Sequence, residues 1–216
     1  MKKIVIVGAG GFGREVKIII DDINKENFEY KFLGFYDDNI DKDLIVNGFP
    51  ILGTINDLNN LEEDTFVAFG IGEPKTKMNL VKLLNNKNLK FPTLIHPSSI
   101  ISADEVSIGK GTIICAGNII TCNIQIKDFV TINLMCTVGH DTVIKDYCSF
   151  MPSVNISGEV EVQECVYVGT GAKIINRLQI GKNTIVGAGA VVSKSLPENC
   201  TAVGIPAKPI KFHEND

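Results

Sequence analysis

At 216 residues the chain has room for one large domain or two small ones around a buried core, and 44% hydrophobic with 21% charged residues is a folded, soluble composition. A disordered or fibrous chain is excluded. Twenty-one Lys and Arg against 25 Asp and Glu give a net charge of −4, so there is no broad basic field for nucleic acid.

The first part, residues 1–95, alternates strands and helices. "KKIVIVGAG" reads as a buried strand, Phe12 to Ile23 as an amphipathic helix and "YKFLGFYDD" as a second strand. "PILG" and "TLIHP" read as short edge strands, "FVAFGIG" as a further strand, and Pro74 to Asn85 as a helix. Such alternation predicts a small Rossmann-like parallel sheet with helices on its faces. The lysines at the N-terminus precede an apolar run that stops after four residues at a glycine cluster, and no run of 18 apolar residues occurs. The expectation is a cytoplasmic protein with no membrane partner. Six cysteines (Cys115, Cys122, Cys136, Cys148, Cys165, Cys200) lack C-x-x-C pairing and His at ligand spacing, which fits buried reduced thiols and no metal.

From about Pro97 the grammar changes. Every sixth residue from Ile108 to Val192 is apolar, fifteen in succession (Ile, Val or Phe). At 44% hydrophobic usage this register arises by chance about five times in a million. Two places earlier stand small or β-branched residues such as Thr112, Cys136, Thr142, Cys148 and Ala172. Period six with such inward pairs describes short strands and tight turns coiling on a triangle. Eighteen residues make a coil, and five coils make a prism about 24 Å tall. "VGIPAKPIKF" breaks the register with Pro206 and Pro209 and is expected to cap the open end.

Within this coil His140 falls two places after the repeat residue Val138, at an outward corner, and Asp141 follows it. The pair suits a general base whose ring a carboxylate orients. One coil later stands Gly158, which either leaves room for a ligand beside the histidine or simply eases a turn. In the first half Gly8-x-Gly10-x-x-Gly13 follows a strand and opens a helix, with Asp37 and Asp38 ending the next strand. That is the dinucleotide pattern, but the unit is short for it, and close helix–strand packing with acids capping a turn is the alternative.

The stretch from His96 to Lys208, with "LIHPSS", "GHDTVI", "NISGEVEV", "IGKNTIVGAGAVVSKSLP" and "VGIPAKPI", resembles the hexapeptide-repeat acyltransferases. The similarity is to the branch holding nucleotide-amino-sugar N-acetyltransferases and sialic acid O-acetyltransferases. The resemblance implies a left-handed β-helix over residues 96–216, a homotrimer, acetyl-CoA as donor, and an acceptor deprotonated by His140 with Asp141 in a direct transfer. It further implies that Gly158 holds the thioester oxygen, that Thr170 and Ala188 line the pantetheine path, and that Lys208 sits near the adenosine phosphates. An exposed lysine near a terminus explains Lys208 as well. Asn133 matches an asparagine that contacts the acceptor, or simply forms a turn. In the first half the resemblance points to a uridine nucleotide sugar, with Gly10, Gly11 and Gly13 around the diphosphate and Asp37 and Asp38 near the base. The chain departs from the family where it carries Lys145 instead of a frequent glycine, and Ser149 instead of a second histidine expected near the thioester.

The leading expectation is N-acetylation of a nucleotide-linked 4-amino sugar for bacterial glycan assembly. The rivals are O-acetylation of a sialic acid or other sugar hydroxyl, a non-catalytic trimeric nucleotide-binding scaffold, and an NAD-linked oxidoreductase that leaves the coil unexplained.

Overall fold

A computed structural model of the protein describes residues 1–39, 41 and 44–214. The N-terminal unit is built on β1 (Lys2–Val7), whose Ile4, Val5, Ile6 and Val7 are covered on both faces, as a continuous apolar run in a parallel sheet requires. β1 pairs in parallel with β2 (Tyr30–Tyr36) on one side and β5 (Thr65–Phe69) on the other. With β3 (Ile45–Val46), β4 (Phe49–Gly53) and β6 (Leu89–Lys90) the strand order is β3-β4-β2-β1-β5-β6. Helix α1 (Gly11–Asn27) buries Val16, Ile19, Ile20 and Ile23, a single stripe at helical spacing. Helix α2 (Pro74–Leu83) begins at a Glu73 cap whose carboxylate accepts the N–H groups of Lys75 and Thr76.

The "TLIHP" segment corrects the expectation of an edge strand. Leu94–Ile95 pairs in parallel with Ile113–Ile114 and is the first rung of the coil. From there the chain winds through three flat parallel sheets. The first face runs from Leu94–Ile95 through Ile113–Ile114, Thr131–Ile132, Ser149–Phe150, Tyr167–Val168 and Ile185–Val186 to Cys200–Val203. The second runs from Ile100–Ile101 to Val191–Val192 and the third from Val106–Ile108 to Gln179–Ile180. Register partners differ by 18 residues through the body of the stack, as in Thr131 with Ser149 and Ser149 with Tyr167, by 19 where Leu94 meets Ile113 and Ile100 meets Ile119, and by 16 where Ile185 meets Thr201. The stack therefore has two more rungs on its first face than the fifteen-repeat count predicts.

The periodic residues fill the prism axis. Those from Ile114 to Val192 are at most 3% exposed, so they point inward as the period requires. Burial of each such side chain is worth about 1.5–3 kcal/mol before entropy is counted. The proline-bearing tail folds back as Lys208–Phe212, antiparallel to Cys200–Val203, and places Ala207 against the axial core.

The N-terminal unit sits on the outer side of the first face. Leu94, Ile113 and Cys115 share a core with Ile4, Ile6 and the apolar stripe of α1. Phe129 packs edge-on to Phe69 at 5.8 Å and to Phe91 at 5.3 Å, and stacks on Tyr147 at 5.5 Å. Each such pair adds about 0.5–1.5 kcal/mol beyond its area. His96 Nε2 meets Asp22 Oδ2 at 2.9 Å, tying α1 to the first coil. The His96 and Lys25 partners hold the Asp22 carboxyl below its usual range, Lys25 most of all.

Candidate active site

Each corner of the prism passes through a residue with positive φ, six apart in sequence, and the three corner columns carry different chemistry. The third-to-first corner bears Phe129, Tyr147 and Cys165, which face the N-terminal unit. The first-to-second corner ends in Gly171 and Gly189, where an added Cβ would meet nothing within 4 Å. The second-to-third corner carries Asn123, Asp141, Glu159 and Arg177 in succession.

His140 lies on this last column, immediately after the rung Thr137–Val138. Its side chain is 56% exposed, so the ring belongs to the outer surface and not to the axial core. Nδ1 meets Asp141 Oδ2 at 2.7 Å, and Asn123 Nδ2 donates to Asp141 Oδ1 at 3.1 Å from one coil below. The two bonds, the one from His140 foremost, hold the Asp141 carboxyl below its usual range. One coil above, the ring lies over Gly158: a Cβ there would come within 2.4 Å of His140 Nε2 and 2.5 Å of Cε1. A Cβ at this position would displace the ring. The structure thus brings His140, Asp141 and Gly158 together, and adds Asn123. The signal for Asn123 was its place 18 residues before Asp141, the same offset that picked out Gly158.

The remaining candidates lie elsewhere on the chain. Thr170 and Ala188 are exposed on successive coils of the first-to-second corner, linked by the Gly189 N–H donating to the Thr170 carbonyl at 2.8 Å. Lys208 is exposed and pairs with Val203, which lies against Gly187 at the same edge. Asn133 belongs to this corner too, but it is 6% exposed and its Oδ1 accepts from the Leu134 N–H at 2.7 Å. Within one chain these residues stand one corner away from His140.

In the N-terminal unit Gly10 and Gly11 are exposed at the start of α1, where Gly10 caps the helix without a side-chain bond. Such an end offers free N–H groups to a phosphate. Gly13 serves packing: its Cβ would fall 1.9 Å from the Gly8 carbonyl oxygen. Asp37 accepts from the N–H of Ala9 at 2.8 Å and of Asn39 at 2.9 Å, and Asp38 accepts from Ile55 at 2.8 Å. Both carboxylates therefore shape the loops around the glycine cluster. Ser149 is fully buried at the seam between the two units, where it meets Lys77. Lys145 lies 3.9 Å from Glu161.

Cys115, Cys136, Cys148, Cys165 and Cys200 are buried and Cys122 is partly so, all with free thiols. Burial pushes Cys115 and Cys148 up to about 12. Among the described residues no group of His, Cys, Asp or Glu is placed to hold a metal, and no helix is long and apolar enough to cross a membrane.

Residues 3–84 match the family model of the PglD N-terminal domain. The chain is 32% identical over 212 residues to GDP-perosamine N-acetyltransferase of Escherichia coli O157:H7, covering 95% of each chain. PerB from Caulobacter crescentus, solved with CoA and GDP-perosamine, superposes with a TM-score of 0.89 at 29% identity over 98% of each chain. WeeI from Acinetobacter baumannii superposes with a TM-score of 0.88 at 33% identity, covering 97% of this chain and all of that one. These relatives share the two-unit architecture from end to end, so the coil takes their left-handed form, and neither the non-catalytic scaffold nor the oxidoreductase reading survives. The chain belongs to the hexapeptide-repeat acetyltransferases, in the branch that joins a PglD-type N-terminal domain to a left-handed β-helix.

Proposed function

We propose that the chain transfers the acetyl group of acetyl-CoA to the amino group of a nucleotide-linked 4-amino sugar. The observation that carries the reading is the His140 ring, held at Nδ1 by Asp141 and lying over the bare α-carbon of Gly158. With the Nδ1–H of the ring donated to the Asp141 carboxylate, Nε2 is the free base. It takes the proton of the attacking amine while the nitrogen bonds to the thioester carbon. The Gly158 N–H stabilises the oxyanion, and the C–S bond then breaks to release the coenzyme thiolate, which is protonated in turn.

In this reading the working assembly is a homotrimer in the cytoplasm. Coenzyme A lies against Thr170, Ala188 and Lys208 of one chain, His140 and Asp141 come from its neighbour, and the separation of the two corners within a chain supports that division. The nucleotide rests on the N–H groups of Gly10 and Gly11, in the loop shaped by Gly13, Asp37 and Asp38, with the sugar toward Asn133. Family resemblance favours uridine as the base, and the substrate of the GDP-perosamine enzymes favours guanosine.

Coenzyme A release, followed with a thiol reagent over uridine-, guanosine- and thymidine-linked 4-amino sugars, tests the reading. Turnover with at least one of them is expected. Release only with free sialic acid or another hydroxyl acceptor replaces it with O-transfer, and release with none rejects it.

A further inference from the structure

Lys77, one turn into α2, is 1% exposed. Its Nζ donates to Thr131 Oγ1 at 2.9 Å and to Ser149 Oγ at 3.2 Å, two hydroxyls stacked on adjacent rungs of the first face. Both partners are neutral. An amine buried without a carboxylate costs stability, and a methionine of similar length would pack at lower cost, so stability does not account for it. Burial accordingly pushes this amine down to about 7.

What Lys77 joins is more informative. Two residues beyond Thr131 and Ser149 the same rungs turn the corner at Asn133 and Met151. Met151 reaches the loop before α2, its Cε 3.9 Å from where a Cβ on Gly72 would stand. At the start of that loop Gly70 packs on Gly13, and its Cβ would lie 2.4 Å from the Gly13 α-carbon. The loop before α2 thus lies between the glycine cluster, at Gly70, and the corner that follows these rungs, at Gly72, and Lys77 ties the helix that continues this loop to Thr131 and Ser149.

We propose that Lys77 is a positioning residue that fixes α2 and the Gly70–Glu73 loop to the rungs bearing Asn133 and Met151, and so sets the span between nucleotide and acetyl group. The inference rests on the acetyl-transfer reading above. It is tested with the full chain and the acceptor found active, comparing Lys77→Met, Thr131→Val and the double variant. Lys77→Met is expected to lower acceptor kcat/KM about tenfold, Thr131→Val about threefold, and the double variant no further than Lys77→Met, because the two changes break one contact. The KM for acetyl-CoA stays within about twofold, and amide hydrogen exchange accelerates at residues 70–73. Acceptor kcat/KM within about twofold of wild type in folded Lys77→Met, or an equal loss for coenzyme and acceptor, overturns the proposal. Should Lys77→Met not fold, Thr131→Val decides by the same criteria. The exchange readout needs no turnover, so a wild type without acetyl transfer sinks the functional reading and leaves the positioning measurable.

Discussion

At His140 the ring is fixed on two sides, by Asp141 at Nδ1 and by the flat surface of Gly158 beneath it. On the proposed mechanism, His140→Ala is expected to lower kcat by at least about a hundredfold with little change in coenzyme binding, as read by steady-state kinetics and calorimetry. Gly158→Ala places a methyl group where the ring now lies, so kcat falls by about tenfold or more while the unfolding midpoint moves little. Asn123→Ala removes one exposed hydrogen bond, worth about 0.5–1.5 kcal/mol at most, and a loss of about two- to tenfold in kcat is the expected result. Two partners, the His140 ring foremost, keep the Asp141 carboxyl ionised well into acid, so Asp141→Asn removes a carboxylate that is charged at working pH and is expected to lower kcat, as steady-state kinetics on both proteins measures.

Among the elements, the prism is held by its axial column and its corners are left free to differ. Phe150 is the largest periodic side chain in that column and is fully buried. Phe150→Ala therefore leaves a cavity costing about 3–5 kcal/mol, measurable by urea unfolding. The corners obey another rule. A positive φ every six residues strains any side chain other than Gly, Asn or Asp, yet Phe129, Met135, Tyr147, Glu159 and Arg177 hold such positions. Hydrogen bonds between coils offset the strain, as in the Glu159 N–H donating to the His140 carbonyl at 2.8 Å. Corner side chains are thereby free to specialise, as glue for the N-terminal unit, an open edge or the column that bears His140 and Asp141. On the open edge Ala188→Trp is expected to raise the KM for acetyl-CoA by about tenfold or more, with acceptor KM and thermal stability nearly unchanged.

For the molecule as a whole, the decisive relation is between corners that one chain keeps apart. If neighbouring chains share each site, co-assembled His140→Ala and Ala188→Trp chains recover activity that neither shows alone, because some sites receive both intact edges. Absence of recovery in verified mixed assemblies rejects the shared site. The seam between the units carries a second whole-molecule prediction. The titratable groups around the Lys77 amine are Glu73, the cap of its own helix, and, from the prism, the neutral thiols of Cys148 and Cys165. Its folded-state value of about 7 is below the ordinary 10.5, so between these values the unfolded chain binds more protons and stability rises with pH. Below about 7 both states are protonated and that gain is absent. The raised thiols act in the opposite sense above their ordinary 9.0, and the Lys77 amine itself bears on them, so the comparison belongs below that range. The Tm of wild type minus that of Lys77→Met is expected to grow as pH rises from about 7 toward 9, as differential scanning calorimetry at matched ionic strength measures.

The repeat, its 18-residue coil, the outward corner of His140 and the partnership with Gly158 were legible in the sequence, because a solenoid makes each residue's neighbours a fixed number of positions away. Asn123 was legible by the same arithmetic. Pairing across a non-repeating seam has no such offset. That Asp37 and Asp38 bind backbone amides came only from the folding of the loops within the N-terminal unit. That Leu94–Ile95 starts the prism and that Ser149 faces a buried lysine came only from the packing of that unit on the first face. Those contacts join residues 54, 72 or 87 positions apart, as Lys77 with Thr131, Lys77 with Ser149 and Cys165 with Met78 show, and only the folded chain decides which distant surfaces meet.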